Sequence, residues 1–310
     1  RIVIRVYETS DDMANALTSG EVDLIWRGLE TATAATLEDV DNVVVQSVPA
    51  GTLHFLTVNH ALAPTDQLEV RRALAELIDR MDIIESVLGG AFVPAFSPVP
   101  PGYVGSSEPY LDLYGAPDVE QSIGELTTAG YTVADPAQIE LAYPPERFGL
   151  DIAPAMEALV LQIEATGLVE VTLTAQAWET YVGDVVDGAY NIALLGWQYD
   201  YPDPDNYLAP FVLDGGLGGS GETLQGTELA GLVAEAATEL DPELRTELYE
   251  EIQTKYAEDV VTIPLWTEQP YIAYSTNVSG SEELESPESL NIGSTLQLDF
   301  RAVDVTDRES

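Results

Sequence analysis

The stretch GWQYDYPDPDNYLAPF, from Gly196 to Phe211, concentrates the side chains of this sequence that are best suited to chemistry. A glycine at position 196 lets the backbone approach a ligand closely, because no side chain intervenes. Trp197 offers a large amphipathic ring. Asp200 offers a carboxylate, which only accepts hydrogen bonds and therefore suits an ammonium group. The neighbouring prolines lower the entropic cost of ordering the segment. These residue types predict a binding surface for a cationic group.

Other interpretations of this stretch stay open from the residues alone. Trp197 and Tyr201 could pack against the protein, with the aspartates in surface turns. A calcium site is not indicated, because the spacing of an EF-hand loop is not met. A hydrolase would need two carboxylates across one cleft, for which Asp200 and Asp203 are the candidates. His54 has no motif of a nucleophilic triad around it, and we interpret it as a strand residue.

The sequence is strongly acidic, with 54 Asp and Glu residues against 11 Lys and Arg residues and a net charge of −43. An acidic disordered protein is excluded, because 45% of the residues are hydrophobic. In molar salt the Debye length falls to about 3 Å and self-repulsion is screened. We therefore interpret the charge as a surface adapted to concentrated salt, in a haloarchaeal or bacterial protein, rather than as a surface for cationic partners. Nucleic acid is excluded as a partner, because phosphate binding needs a basic footprint.

Strand and helix patterns alternate in the segment that leads to this stretch. The predicted elements are helix 118–129, strand 139–143, helix 152–166, strand 169–173, helix 177–187 and strand 191–195. Such alternation predicts an α/β sheet with crossover helices. Gly196 directly follows the last of these strands. Ligands of open α/β sheets usually bind at the carboxyl ends of the strands, so this is where we expect the site.

The remaining patterns predict further elements on both sides of that segment. Strands are predicted at 1–8, 21–26, 43–48, 53–58, 261–266, 271–275 and 294–303, and helices at 10–19, 31–39, 68–79, 80–90, 228–239 and 243–258. The first of these elements form a βαβ-like beginning. Within the helical segments, we expect Glu76 and Arg80 to form an i,i+4 pair and Arg71 and Arg72 to form surface ion pairs.

A long segment rich in Pro, Gly and Tyr, from Phe92 to Gly115, separates two α/β regions. This organisation predicts two lobes. Residues 1–58 and 263–310 are assigned to what remains of the first lobe, and residues 59–262 to the second lobe. The chain would leave the first lobe near Val58–His60 and return near Ile263–Trp266.

Four stretches resemble, in order, the signatures of the extracytoplasmic solute-binding proteins of ABC transporters in the peptide/nickel class. They are ALTSGEVDLIW, the long run GTLHFLTVNHALAPTDQLEVRRALAELIDRMDIIESVLGGAFVPAFSPVPPGY, GWQYDYPDPDNYL and TIPLW. The four stretches lie between residues 16 and 266, and the resemblance as a whole extends from residue 1 to about residue 275. Four signatures at consistent spacing make the resemblance specific.

The resemblance implies a two-lobed, periplasmic-binding-protein-like α/β fold of type II, similar to cluster C, in which the N-terminal part of the first lobe is missing from this sequence. It implies that Asp200 holds the α-amino group of a bound peptide, and that the backbone from Gly196 to Gln198 contacts the peptide main chain. Tyr199 belongs to the same segment and is included among the expected ligand-binding residues. Asn59, at the end of a hydrophobic strand, is implied as a further ligand contact at the lobe crossing.

The resemblance also implies the function: capture of a solute, most simply a peptide, outside the cell membrane, and delivery to an ABC-transporter permease. The protein would be a cell-surface-anchored monomer without catalytic residues, metal or cofactor. For the carboxylate of a peptide, the choices are Arg27, Arg71, Arg72 and Arg147. Alternatives are the same scaffold carrying nickel complexes, oligosaccharides or another small cationic solute. From other classes, the alternatives are a secreted acidic hydrolase and a surface assembly protein that has kept the scaffold.

Overall fold

The computed structural model describes residues 2–47, 52–89, 92–101, 103–148, 152–198, 200–201, 203–213, 224–279 and 304–305. Two compact units divide the chain. The first comprises Arg1–Gly51, Gly89–Val93 and Glu268–Ser310, and the second comprises Thr52–Leu88 and Pro94–Thr267. The predicted lobes divide the chain at slightly different positions, and the assignment of residues to lobes stays a prediction. The predicted strand 294–303 lies outside the described residues.

The described helices are α1 (Ser10–Thr18), α2 (Thr31–Glu38), α3 (Leu68–Leu77), α4 (Arg80–Ile83), α5 (Pro109–Tyr114), α6 (Val119–Thr128), α7 (Ile152–Ile163), α8 (Trp178–Val186), α9 (Asp205–Val212), α10 (Glu228–Ala236) and α11 (Pro242–Glu258). The described strands are β1 (Leu24–Leu29), β2 (Val43–Ser47), β3 (Leu53–Val58), β4 (Phe92–Pro94), β5 (Ala137–Tyr143), β6 (Val169–Ala175), β7 (Ile192–Trp197), β8 (Thr262–Glu268), β9 (Tyr271–Ser275), β10 (Val278–Ser279) and β11 (Asp304–Val305). A π-helical turn, Ile84–Leu88, extends α4, and a 3₁₀ turn, Glu164–Thr166, extends α7.

The first unit holds a sheet in the order β1-β9-β2, with β9 antiparallel to both neighbours. β1 and β2 are therefore parallel, as a βαβ beginning requires, but β9 from the far end of the chain lies between them. Apolar residues of α1, α2 and the sheet, such as Leu17, Leu37 and Ala273, form its core. The strand predicted at 1–8 is wrong for residues 2–7, because no described strand pairs with them.

The second unit holds a larger, mixed sheet in the order β4-β8-β3-β7-β5-β6. Of the residues of β4, only Pro94 belongs to this unit. β5 is parallel to β6 and to β7, with α7 and α8 as the crossover connections. β3 runs antiparallel to β7 and to β8. The predicted α/β sheet with crossover helices is confirmed. The central strands β3 and β8 are buried along almost their whole length, as expected for strands covered on both faces.

β7 extends beyond its parallel neighbour at the carboxyl edge of this sheet. Leu141 and Ala142 of β5 pair with Ile192 and Ala193 of β7, whereas β3 stays paired with β7 up to Trp197. The last residues of β7 are therefore held by β3 alone, and the connections that follow β5 and β6 lie at the same edge.

The ion pairs predicted for three arginines are not found among the described residues, where backbone carbonyls accept hydrogen bonds from all three guanidinium groups. Arg71 is buried, and its guanidinium donates to the backbone carbonyls of Thr65, Asp66 and Asp259. Arg72 donates to the carbonyl of Glu258. A separate set of contacts holds Arg80, which is buried, donates to the carbonyl of Pro264 at 2.8 Å and lies over the ring of Phe96.

Their positions explain these differences. α3 ends at Leu77, so Glu76 and Arg80 do not lie on one helical face. Arg71 and Arg72 donate to the carbonyl groups of Asp259 and Glu258 at the end of α11. The last carbonyl groups of a helix have no partner within the helix. A propensity argument cannot detect such partners, because they lie about 190 residues away along the chain.

Candidate functional site

Three connections of the second unit converge at the carboxyl edge of its parallel strands. Arg147 and Phe148 follow β5, Trp178 begins α8 shortly after β6, and the segment from Trp197 to Asp200 completes β7 and leaves it. Asp200 and Arg147 are exposed, while Phe148, Trp178 and Trp197 are half-buried. The edge therefore presents the charged side chains of Asp200 and Arg147 together with aromatic side chains. We call this set of residues the β7-end site.

Gly196 lies where no side chain would fit without movement. It is paired with His54 of β3, and a Cβ atom built on it would lie 2.9 Å from Cε1 of Phe148 and 3.3 Å from Cδ2 of His54. Contacts under 3.0 Å are essentially absent from real Cβ environments. From the sequence, we expect this glycine to let the backbone approach a ligand. The ring of Phe148, which packs over this position, requires a glycine as well.

His54 lies inside β3 and is buried, with its ring edge-on to Phe148 at 5.0 Å between centroids and 6.4 Å from the ring of Trp266. Burial lowers the pKa of His54 to about 4, because the charged imidazolium loses its hydration. The side chain is therefore neutral near pH 7. It packs as a flat polar ring beneath Phe148, in agreement with its interpretation as a strand residue.

Arg147 is held against an aromatic face. Its guanidinium carbon lies 4.6 Å from the ring centroid of Trp178, a distance at which the ring quadrupole attracts the cation. The adjacent Glu146 accepts a hydrogen bond from the backbone N–H of Trp178 at 2.9 Å. Phe148 meets the same indole edge-on at 6.2 Å. These contacts fasten the segment after β5 to the start of α8 and fix the base beside β7.

Trp197 points to the other face of the sheet, where α9 packs. Its ring is edge-on to Phe211 at 5.4 Å, and its Nε1 donates to Oδ1 of Asn206 at 3.3 Å. The same oxygen accepts the backbone N–H of Asp200 at 3.0 Å. The indole thus packs against the helix that follows it, while the carboxylate of Asp200 stays exposed.

Asp203 is bound to neighbouring groups. Its Oδ1 accepts a hydrogen bond from Nη2 of Arg245 at 2.8 Å and another from the backbone N–H of Asp205 at 2.9 Å, at the start of α9. Tyr249 places its hydroxyl 3.5 Å from the same oxygen. A carboxylate that caps a helix and pairs with an arginine is poorly suited to general acid or base catalysis, which disfavours the hydrolase hypothesis for Asp200 and Asp203.

Asn59 is not brought to the β7-end site. It follows the opposite end of β3, about 17 Å from His54 along the strand at the usual rise per residue. It is buried, its Nδ2 donates to the carbonyl of Gly188 at 2.9 Å, and its Oδ1 accepts from the N–H of Ala61 at 2.9 Å. Both polar atoms of its side chain are used within the fold. Tyr199 lies outside the described residues.

Two parts of the site were missed from the sequence: helix α9, which begins inside the quoted stretch at Asp205, and the role of Asn206 within it. A signal was present, since Asp203 followed by Pro204 is a frequent helix start. Tyr110, Tyr114 and Tyr181 of the second unit are buried and donate to backbone carbonyls.

Within the described ranges, no group of three or more His, Asp or Glu side chains could hold a metal ion. None of the described helices combines the length and the apolar content that crossing a membrane requires.

Comparison with known proteins identifies relatives of this chain. The family model for bacterial extracellular solute-binding proteins, family 5 Middle, matches residues 1–219. The periplasmic oligopeptide-binding protein OppA of Haemophilus influenzae is 29% identical over 203 residues, which are 64% of this chain and 37% of that protein. The oligopeptide-binding protein OppA of Bacillus subtilis is 26% identical over 260 residues, which are 80% of this chain and 46% of that protein.

Solved structures agree with the fold. HbpA2 from Haemophilus parasuis superposes with a TM-score of 0.84 at 19% identity, over 98% of this chain and 57% of that chain. At this identity the likeness supports the fold, which is the α/β fold of periplasmic binding proteins. The chain spans about half the length of the relatives that it matches.

Proposed function

The chain belongs to the family of bacterial extracellular solute-binding proteins, family 5, and we propose that it captures short peptides outside the cell membrane for an ABC-transporter permease. The observation that carries the proposal is the placement of an exposed acid, Asp200, and an exposed base, Arg147, at one edge of one sheet. A short peptide with free ends carries one ammonium and one carboxylate, so its charges complement this pair. The family is one of solute-binding proteins, and the proposed role is binding without chemistry.

The amino end of the peptide is assigned to Asp200. A carboxylate accepts charge-assisted hydrogen bonds from an ammonium group, each about twice as strong as a neutral hydrogen bond. The backbone of Gly196, Trp197 and Gln198 is proposed to contact the peptide main chain, which is supported by its position beyond the paired residues of β5 and β7. Tyr199 and Asn59 remain expected ligand residues without support from the described contacts.

The carboxyl end is assigned to Arg147. Of the four arginines considered from the sequence, Arg71 and Arg72 donate to backbone carbonyls remote from this edge. Arg147 alone of the three described side chains lies at the β7-end site, and its planar guanidinium matches a carboxylate in two parallel hydrogen bonds. Binding at both ends favours short peptides, because the acid and the base belong to connections that leave neighbouring strands.

We place the protein outside the cell membrane, tethered to the cell surface, in concentrated salt. The relatives are named as periplasmic or oligopeptide-binding proteins, and the net charge of −43 supports a salt-adapted surface. In the proposed mechanism, ligand binding favours a closed state that a permease recognises, and the differential affinity for the two states supplies the free energy.

The test is calorimetric titration in molar salt with a dipeptide in free, N-acetylated and C-amidated forms. Screening is then strong over a few ångströms, so a charge effect reports direct contact. We expect Asp200→Asn to weaken binding of the free dipeptide about 30-fold and to leave the N-acetylated form unchanged. The exposed Asp187, at the far end of β7 and beyond α8, provides the matched control variant Asp187→Asn.

Two results would contradict the proposal. Equal affinities of the wild-type chain for the free and the N-acetylated dipeptide would remove the amine contact. Tight binding of a nickel complex or an oligosaccharide, with no measurable binding of dipeptides, would move the cargo to one of the alternatives.

A further inference from the structure

One buried side chain connects the last ladder residue of β7, Trp197, with Asp200 beyond the ladder. Asn206, in the first turn of α9, is 5% exposed. Its Oδ1 accepts hydrogen bonds from two donors that are three positions apart in the chain, Nε1 of Trp197 at 3.3 Å and the backbone N–H of Asp200 at 3.0 Å. A carbonyl oxygen has two lone pairs, and here both are directed to the proposed ligand segment.

The residue after Asp200 is bound to the same end of α9. The hydroxyl of Tyr201 donates to Oδ2 of Asp205 at 2.9 Å. Two consecutive residues, Asp200 and Tyr201, are therefore bound by the first turn of α9.

Asn206 itself is anchored from a distant helix. The ion pair between Asp203 and Arg245 joins the start of α9 to α11, and the backbone N–H of Asn206 donates to the carbonyl of Asp203 at 3.1 Å. Arg245 also lies over the ring of Tyr249, 4.8 Å from its centroid. Both members of the ion pair are only partly exposed, at 22% and 28% of their side-chain surfaces, so salt screens this pair less than a surface pair.

We propose that Asn206 is a positioning residue for ligand recognition: its carboxamide holds the indole of Trp197 and the backbone N–H of Asp200, and thereby the place of the Asp200 carboxylate. This inference rests on the proposed function. The sheet cannot hold Asp200 in place, because the last ladder pairing of β7 is that of Trp197 with Leu53. Binding groups must be held within about 0.5 Å to be effective, and among the described residues beyond Trp197 it is the Asn206 oxygen that accepts the backbone N–H of Asp200.

The test compares the affinities for the free and N-acetylated dipeptide in Asn206→Leu and in Asn206→Asp. Leucine has a similar volume but no acceptor, whereas aspartate keeps an oxygen at the same place. We expect Asn206→Leu to reduce the free-to-acetylated affinity ratio about tenfold, since a displaced carboxylate loses its direct contact with the amine. Asn206→Asp should keep the ratio within about threefold of wild type.

The ratio distinguishes positioning from a general loss of structure, because misfolding weakens both ligands equally. If the wild-type chain shows no preference for the free amine, the proposed function fails and the inference fails with it. If wild type prefers the free amine and Asn206→Leu keeps that preference, only the inference is overturned.

Arg245→Met provides a second variant in case Asn206→Leu does not fold. It leaves the carboxamide in place and removes only its anchor. We expect about a threefold reduction of the ratio, and an unchanged ratio in this variant would also overturn the proposal.

Discussion

The two ends of the paired strands β3 and β7 use polar side chains in opposite ways. At the end where β7 finishes, Asp200 and Arg147 keep their charged groups exposed, and the internal contacts only fix where they stand. At the other end Asn59 and Asn191 are buried, and their side-chain hydrogen bonds are made within the fold.

The buried end forms a continuous network. Asn191 donates to the carbonyl of Ala63 at 3.0 Å, and its Oδ1 accepts from the N–H of Glu140 at 2.9 Å. Asn59 and Arg71 extend this pattern toward the segment after α11. Buried polar groups that are fully paired give rigidity and a defined structure, whereas exposed charges on a rigid edge are available to a ligand. One end therefore functions as scaffold, and we propose that the other functions as site.

The two arginines, Arg71 and Arg147, allow the sharpest test of this difference. Arg71→Met would leave three buried or half-buried carbonyls without their charged donor. We expect it to lower the free energy of unfolding by about 3–5 kcal/mol with unchanged affinity for dipeptides. Urea unfolding at constant salt measures the first quantity and calorimetry the second.

Arg147→Met is the matched variant at the exposed end. We expect a change in stability within about 0.5 kcal/mol and about a 30-fold weaker binding of the free dipeptide relative to its C-amide. An Arg147 variant that unfolds as easily as the Arg71 variant would show that the two ends do not differ in this way.

Lowering the pH should reduce the free energy of unfolding through His60, which lies at the buried end. This side chain is buried, and its Nε2 lies 3.2 Å from the carbonyl oxygen of Val260. Burial and the charge of Arg71 lower the pKa of His60 to about 4. The unfolded chain, with a pKa near 6.5 for His, binds the proton more readily between these values. The stability contributed by neutral His60 is thus complete above pH 6.5 and lost as the pH falls toward 4.

A difference measurement isolates this histidine from the many carboxylates. Relative to His60→Gln, wild type should lose about 3 kcal/mol of unfolding free energy between pH 7 and pH 4. Other groups titrate in both proteins and cancel, and His54 is present in both. Parallel stability curves for the two proteins across this range would contradict the assignment.

At the site end, Gly196→Ala should be the most damaging small substitution. The new methyl group would lie 2.9 Å from the ring of Phe148, which must move away from His54. We expect about 1–2 kcal/mol of destabilisation from overpacking and about a tenfold loss of affinity for dipeptides.

Gly183→Ala is the matched control for this substitution. Gly183 lies within α8 and a Cβ atom there meets nothing within 4 Å. We expect that variant to gain about 0.5–1 kcal/mol of stability from helix propensity, with no effect on binding. If Gly196→Ala were equally harmless, the close approach of Phe148 would not constrain the site.

The sequence predicted the architecture of the second unit well, because its signals are local. Alternating strands and helices led to the sheet, and the apolar strand before Gly196 placed that glycine at the carboxyl edge of the sheet, where the structure has it. The partners of Arg71, the insertion of β9 between β1 and β2, and the anchor of Asp203 on Arg245 could not be predicted. Each depends on residues that are distant in the chain, about which local periodicity carries no information.

The smallest expected effect concerns Trp178, which orients the base of the site. Its ring lies beneath the guanidinium of Arg147, and an exposed cation–π contact contributes about 0.5–1 kcal/mol. Trp178→Leu should therefore weaken binding of the free dipeptide about threefold to fivefold. The C-amidated dipeptide should bind this variant as it binds wild type, because it does not use the arginine.

Trp178→Phe keeps an aromatic face at this position and serves as the control, with an expected change below about twofold. Phe148 also packs on the indole, so a general disturbance of the edge would weaken the free and the amidated dipeptide alike. The two ligands thus separate orientation of Arg147 from loss of packing. Equal weakening of both ligands would show that Trp178 supports the structure of this edge and does not act through the orientation of Arg147.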